Sequence, residues 1–416
     1  MQDYHCALAT CGAALEEGGA NAVCSGCRSV VYCHAECQAA HWAAHMEGCY
    51  VAVRERVSSG DVHQDDEGGE YVLRTWLGVC REAHGAAEER TLVCMSVLGM
   101  LMEKRGQHAE AGALYRECLA ARRAALGAEH SETLASMSNL AALLRAQGNL
   151  VEAVPLMREA VQTARATLGP KHSSTLAMLN NLAGMMFALG KLSEAEALYR
   201  EALEATLATQ SPTHSDVLKL RSNLGAVLQG QGRLGEAEPL LRSSLEARRA
   251  ALGPLHPTTL MSMCCMGTLL HGQGKLGEAE PLYRETLEAR RAILGAQHPD
   301  TLASLSCLAT LLCDLGKLGE AEPLAREVLA SQRATLGSQH PHCLASMGSM
   351  GVLLEGRGKL REAEALYNEA LTGCWRVLGR AHPSTQGACA CLVRVLTEQG
   401  KARDARDVQA QYGDRK

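Results

Sequence analysis

The chain of 416 residues has a formal net charge of −5 and is only 3% aromatic, with a single phenylalanine. The chain has no cluster of basic residues, so a nucleic-acid partner is not expected. No long apolar run and no basic, apolar leader are present, so neither a membrane span nor secretion is expected. Seven of the 18 cysteines fall within residues 6–49. This distribution indicates a reducing compartment and one metal-binding region, so we expect the protein in the cytoplasm or the nucleus.

The first 50 residues hold the strongest chemical pattern of the sequence. Soft metal ligands follow the spacings Cys-x4-Cys, Cys-x2-Cys, Cys-x3-Cys and His-x3-Cys, at Cys6, Cys11, Cys24, Cys27, Cys33, Cys37, His45 and Cys49. Such a set suffices for two closed tetrahedral zinc sites. Because so short a segment cannot bury an adequate core, zinc is predicted to stabilise the fold, by on the order of 10 kcal/mol per site, and not to catalyse a reaction.

The spacing from Tyr32 to Cys49 resembles a MYND finger. The resemblance implies interleaved ligand sets, with one zinc held by Cys6, Cys11, Cys33 and Cys37 and the other held by Cys24, Cys27, His45 and Cys49. It also implies a proline-rich peptide ligand that contacts Ser25, Gln38 and Trp42, since a tryptophan face suits a polyproline-type helix. A core role for Trp42 is the alternative. The spacing from Cys6 to Cys11 is longer than in that family, and His41 is an alternative ligand.

Two shorter segments follow the predicted finger, residues 1–50. Residues 51–69 are interpreted as a linker because the stretch SSGDVHQDDEGG is rich in glycine and aspartate. Residues 70–88 match the second helix of the repeat described next, one period early, and are interpreted as a capping helix.

Residues 89–412 repeat with a period of 42, marked by His130, His172, His214, His256, His298, His340 and His382. Turn glycines recur at the same interval. This period predicts about eight stacked helix pairs. Apolar spacing predicts a helix A before each turn glycine and a helix B after it. Equivalent imidazoles in separate layers cannot converge on one ion, so we expect them to cap helix A or pack on the preceding helix B, and not to bind metal.

The helix pairs resemble the tetratricopeptide repeat in the 42-residue form of kinesin light chains and nephrocystin-type proteins. HEAT or armadillo repeats are the alternative. The resemblance implies an all-α, right-handed superhelical solenoid whose A helices line a concave peptide groove. The register places Ser138, Asn180 and Arg145 in that groove, where the Asn180 amide can hold peptide backbone; a spacer without a ligand is the other reading. The Arg-Arg pairs at 122–123, 248–249 and 290–291 are interpreted as part of a solvated, salt-bridged face.

Together these segments predict a zinc-binding adaptor, in which the finger binds one protein or peptide and the groove binds another. An enzyme is not expected, because the sequence contains no Walker loop, His-Glu-x-x-His or Gly-x-Ser-x-Gly segment. The alternative function is a regulatory or substrate-recruiting subunit of a methyltransferase or ubiquitin ligase complex.

Overall fold

A computed structural model describes residues 22–23, 31–32, 35–59, 67–380 and 382–413. The described chain is α-helical apart from one pair of two-residue strands, and it divides into two units, Met1–Gln210 and Ser211–Lys416. The strands β1 (Ala22–Val23) and β2 (Val31–Tyr32) pair antiparallel in the first unit.

The described helices of the first unit run in chain order and each packs on the next. They are α1 (Ala35–Ser59), α2 (Glu67–His84), α3 (Glu89–Lys104), α4 (His108–Leu126), α5 (Ser131–Ala146), α6 (Leu150–Thr167), α7 (Ser173–Ala188) and α8 (Leu192–Leu207). From α3 onward, odd-numbered helices are the predicted A helices and even-numbered helices are the predicted B helices.

The second unit continues the same alternation. Its described helices are α9 (Ser215–Gly230), α10 (Leu234–Leu252), α11 (Pro257–Gly272), α12 (Leu276–Leu294), α13 (Pro299–Asp314), α14 (Leu318–Leu336), α15 (Pro341–Gly356), α16 (Leu360–Leu378), α17 (Pro383–Glu398) and α18 (Ala402–Tyr412). Each packs on the next, which confirms the predicted stack of helix pairs. Among the described helices, none has the length and apolar character needed to cross a bilayer.

Glycines at the two ends of each pair let the chain reverse. The A-to-B turn of the second repeat passes through Gly148 at φ 78°, and helix α4 ends at Gly127 with φ 86°. Residues with a Cβ resist these left-handed conformations, so the repeated glycines set where most of the helices stop. Helix α8 is an exception, because its C-cap is Ala208 at φ −70°.

In several pairs, a small residue on helix A faces a large residue on helix B. Gly351 lies against the ring of Tyr367, which is only 1% exposed. In the repeat of α5 and α6, the corresponding positions are the buried Ala141 and Met157. Of these two pairs, the one with the larger residue on helix A has the smaller residue on helix B, which keeps the interior of each pair filled.

Helix α1 extends beyond the predicted finger into the segment interpreted as a linker. Tyr50, Val53 and Val57 are buried at helical spacing, and α1 packs on α2 and α3. Residues 51–59 are therefore helical, while residues 60–66 lie outside the described residues. The domain boundaries as a whole stay a prediction.

Candidate peptide groove and metal-binding finger

The repeated histidines cap the A helices. Each is the N-cap residue of its helix, and its Nδ1 accepts a hydrogen bond from the backbone N–H two residues later, at 3.1 to 3.3 Å. This bond satisfies one of the backbone donors that a helix start leaves without a partner. Of the two structural roles expected for these histidines, capping of helix A is the one that the structure shows.

A threonine three residues after most of these histidines joins the same helix start to the preceding helix. Thr133 Oγ1 donates to the Gly127 carbonyl at 2.8 Å, and Thr301 Oγ1 donates to the Gly295 carbonyl at 2.9 Å. Both threonines are fully buried. In the repeats that have both bonds, the histidine and the threonine together fix where helix A begins.

In the first unit, the candidate groove residues lie on two neighbouring A helices. Ser138 on α5 and Asn180 on α7 are half-buried at the same register, and Arg145 is exposed near the end of α5. The structure also places Asn139 half-buried on α5, one period before Asn181. Sequence reasoning missed Asn139, although its 42-residue spacing from Asn181 marks the same position.

In the second unit, Asn223 on α9 repeats the position of Asn139, and serines repeat the position of Ser138. The hydroxyls of Ser222 and Ser306 donate to the carbonyls of Leu218 and Leu302 within their own helices, at 2.9 and 3.0 Å. Cys307 stands where Asn139 stands in α5, and burial raises the pKa of its thiol to about 11. This thiol is therefore neutral near pH 7, which disfavours a nucleophilic role.

The exposed faces of the B helices are joined by ion pairs between successive repeats. Arginine and glutamate 36 residues apart meet in the pairs Arg81–Glu117, Arg116–Glu152, Arg123–Glu159, Arg165–Glu201, Arg249–Glu285, Arg284–Glu320, Arg326–Glu362 and Arg333–Glu369, at 2.6 to 3.2 Å. Much of the surface charge on helix B is therefore balanced within the array.

The Arg-Arg pairs are interpreted from the sequence as part of a solvated, salt-bridged face. This interpretation is wrong for the first arginine of each pair. Arg122, Arg248 and Arg290 are buried, with Arg122 only 4% exposed. Arg122 Nη1 donates to Ser136 Oγ at 2.7 Å and to the Glu132 carbonyl at 3.2 Å. The reason is the register, because the first arginine of each pair faces helix A of the next repeat.

A second ion-pair row ties several of the A-to-B turns to the preceding helix B. Glu322 is bonded by Lys359 at 2.7 Å and Arg326 at 2.8 Å, and it also contacts Arg357. The hydrogen bond from Lys359 is the largest of the influences that lower the pKa of Glu322 to about 2. Glu238 has the corresponding position in α10, and its pKa is also lowered to about 2, chiefly by Arg242.

Most predicted zinc ligands lie outside the described residues. The ligands outside the described residues are Cys6, Cys11, Cys24, Cys27 and Cys33, together with the side chains of Cys37 and His45. The predicted peptide contacts Ser25 and the side chains of Gln38 and Trp42 also lie outside them. Of the described backbone, α1 carries positions 37, 38, 42, 45 and 49, and the paired strands precede and follow positions 24–30 in the sequence.

The donor set of the finger fits zinc. Its thiolate and imidazole donors are the ligands of structural zinc sites, and Cys49 is completely buried. When bound, the metal would stabilise a segment with little core of its own. The ligand sets stay a prediction.

Comparison with protein families finds two matches. Residues 6–49 match the MYND finger, and the tetratricopeptide repeat matches at residues 89–161, 132–208, 216–292, 262–327 and 300–374. No match to a curated protein sequence was found.

Several solved structures are similar to this chain. The apo quorum sensor NprR from B. thuringiensis is 14% identical, with 88% of this chain and 97% of that chain covered and a TM-score of 0.57. The STAND protein PH0952 from Pyrococcus horikoshii, which has a tetratricopeptide repeat sensor, is 14% identical over 82% and 52% of the two chains, with a TM-score of 0.55. Kinesin light chain-like repeats from Podosopora anserina are 27% identical over 48% and 95%, with a TM-score of 0.44. The first two support the fold.

Proposed function

Because the chain belongs to the tetratricopeptide repeat family and its first 49 residues include a MYND finger match, we propose that it is a non-enzymatic adaptor that joins two polypeptides. The observation that carries this proposal is the difference between the two kinds of helix. Charges on the B helices are largely paired with each other, whereas the A helices present short, mostly uncharged side chains at the groove register. Short side chains leave room for an extended peptide.

The finger is proposed to bind two zinc ions and a proline-rich peptide. Ser25, Gln38 and Trp42 match the positions that contact such peptides in the MYND family. An indole face provides a flat apolar wall for a polyproline-type helix, and the Gln38 amide can hydrogen-bond the peptide backbone. The zinc ions are proposed to hold the peptide-binding residues in place.

The groove is proposed to bind a second polypeptide. In the first unit, Ser138, Asn180 and Arg145 provide polar groups along neighbouring A helices. An asparagine amide can both donate to and accept from an extended backbone, which supports affinity without demanding one peptide sequence.

The proposal for the finger is tested by titrating a fluorescent proline-rich peptide into the intact, zinc-loaded chain. Trp42→Ala is expected to weaken binding at least about tenfold, since aromatic anchors carry much of such binding energy. Its zinc content should stay unchanged. Trp375→Ala is the matched control, because Trp375 is 46% exposed on α16 of the repeat array.

Equal binding by Trp42→Ala and the unaltered chain would contradict the proposed peptide contact. Loss of zinc in Trp42→Ala would instead place Trp42 in the core of the finger.

A further inference from the structure

An apolar cavity of ≈ 430 Å³ opens among helices α15, α16 and α17 of the second unit. Its walls come from the two A helices, and helix B between them forms its floor. The walls include Ala345, Gly348 and Val352 on α15, and Gly387, Ala388 and Cys391 on α17. The cavity has the size of a site for one or two large side chains.

Two glycines keep this space open. Gly348 occupies the repeat position that Ser138 occupies in α5, and Gly387 occupies the position that Ala345 occupies in α15. A Cβ built on either glycine would meet no other atom within 4 Å. Beside them, Val352 is 54% exposed, although valine is usually buried. The cavity therefore offers apolar surface that no part of the described chain covers.

Among the described residues of the lining, none is a lysine, arginine, aspartate or glutamate. The Tyr367 hydroxyl donates to Glu355 Oε2 at 3.1 Å, and the Glu355 carboxylate is paired with Arg394 at 2.7 Å. His382 uses its Nδ1 to cap α17. Arg394 lies beside Cys391 of the lining, but it is already paired with Glu355. A charged ligand group would therefore lose its hydration here without gaining an unpaired counterion, so the site suits an uncharged one.

We infer that this cavity binds an uncharged apolar side chain of a partner polypeptide that lies along the groove. The inference rests on the proposed function and specifies where a groove ligand is anchored. Burial of one large aliphatic or aromatic side chain should strengthen binding by about tenfold to a hundredfold. The flanking residues of the ligand would remain in the open part of the groove.

The structure offers a way to fill the cavity without disturbing the fold. Leucine at position 348 or 387 would project into open space from a helical backbone, and leucine favours helix more than glycine does. Gly348→Leu and Gly387→Leu should therefore be folded and at least as stable as the unaltered chain. Gly277→Leu is the matched control, because Gly277 is a helical glycine with equally open surroundings at the start of α12, away from the cavity.

The experiment is a selection of random displayed peptides on the intact chain, followed by anisotropy measurements with the selected peptides. We expect a class of peptides that requires an apolar residue at one position. Binding of this class should fall at least about tenfold in Gly348→Leu and Gly387→Leu and should be unchanged in Gly277→Leu.

Other outcomes overturn the inference and separate it from the proposed function. If selected peptides bind both filled variants as well as the unaltered chain, the inference fails while the adaptor proposal stands. A requirement only for charged residues would also refute it. If no peptide binds the intact chain, both fail. If sedimentation shows self-association that Gly348→Leu abolishes, the occupant is a second copy and the inference fails.

Discussion

The packing of helix A against helix B predicts opposite effects for two similar substitutions in α15. In Gly351→Ala, the new Cβ would lie 2.5 Å from Tyr367 Cε1 and 2.7 Å from Cζ. Because Tyr367 is almost fully buried, its ring can make room only by shifting against neighbouring side chains. Overpacking of this kind costs about 1–3 kcal/mol, whereas replacing a helical glycine gains about 0.5–1 kcal/mol. We expect a net destabilisation of about 1–2 kcal/mol.

Gly348→Ala, three residues earlier on the same helix, is the matched control. Its Cβ meets no atom within 4 Å, so only the gain in helix propensity remains, and we expect stabilisation of about 0.5–1 kcal/mol. Adding Tyr367→Met to Gly351→Ala should restore stability, because this pair reproduces Ala141 and Met157 of another repeat.

Urea unfolding of the intact chain, together with amide hydrogen exchange in α15 and α16, would measure these effects. Hydrogen exchange is needed because a repeat array can unfold in parts. Equal stabilisation by Gly351→Ala and Gly348→Ala would refute the argument that glycine at 351 is required by the tyrosine ring.

Four further predictions concern caps, charges and metal. His298→Ala should cost about 1 kcal/mol in urea unfolding, whereas His298→Asn should retain most of the stability, since asparagine also caps helices; equal losses would contradict capping. Because the pKa of Glu322 is lowered to about 2 in the folded chain, its contribution to stability should be present above about pH 4.5 and lost as the pH falls toward 2. Glu322→Gln should flatten that dependence, and an unchanged slope would count against the ion cluster. Arg333→Met should lower stability by no more than about 1 kcal/mol at low salt and by less in 1 M NaCl; a salt-independent loss would point to packing. Mass spectrometry under native conditions should find about two zinc ions per chain, and a folded finger without zinc would contradict the predicted ligand sets.

Much of the repeat architecture could be predicted from the sequence because each signal recurs. The 42-residue spacing of His130, its later equivalents and the turn glycines identified both helices of every pair. The separation of the histidines into different layers argued against a shared ion, and the structure then distinguished capping of helix A from packing on helix B. Local conformational requirements therefore appear directly in the sequence when a repeat displays them several times.

The features that sequence reasoning missed depend on contacts between helices. Arg122 and Arg123 are adjacent and chemically identical, yet one is buried against the next repeat and the other forms a surface ion pair. Likewise, Gly348 and Gly351 differ only in what lies opposite them, open space for the first and a tyrosine ring for the second. Composition and period cannot separate such neighbours, because the facing residue decides the outcome.

The adaptor proposal is tested most directly by asking whether the intact chain binds two different polypeptides at once. Native mass spectrometry of the zinc-loaded chain with one proline-rich peptide and one peptide selected for the groove would measure this. We expect a ternary complex that loses the first peptide in Trp42→Ala and the second in Gly348→Leu. Mutually exclusive binding of the two peptides, or loss of both from either variant, would contradict it.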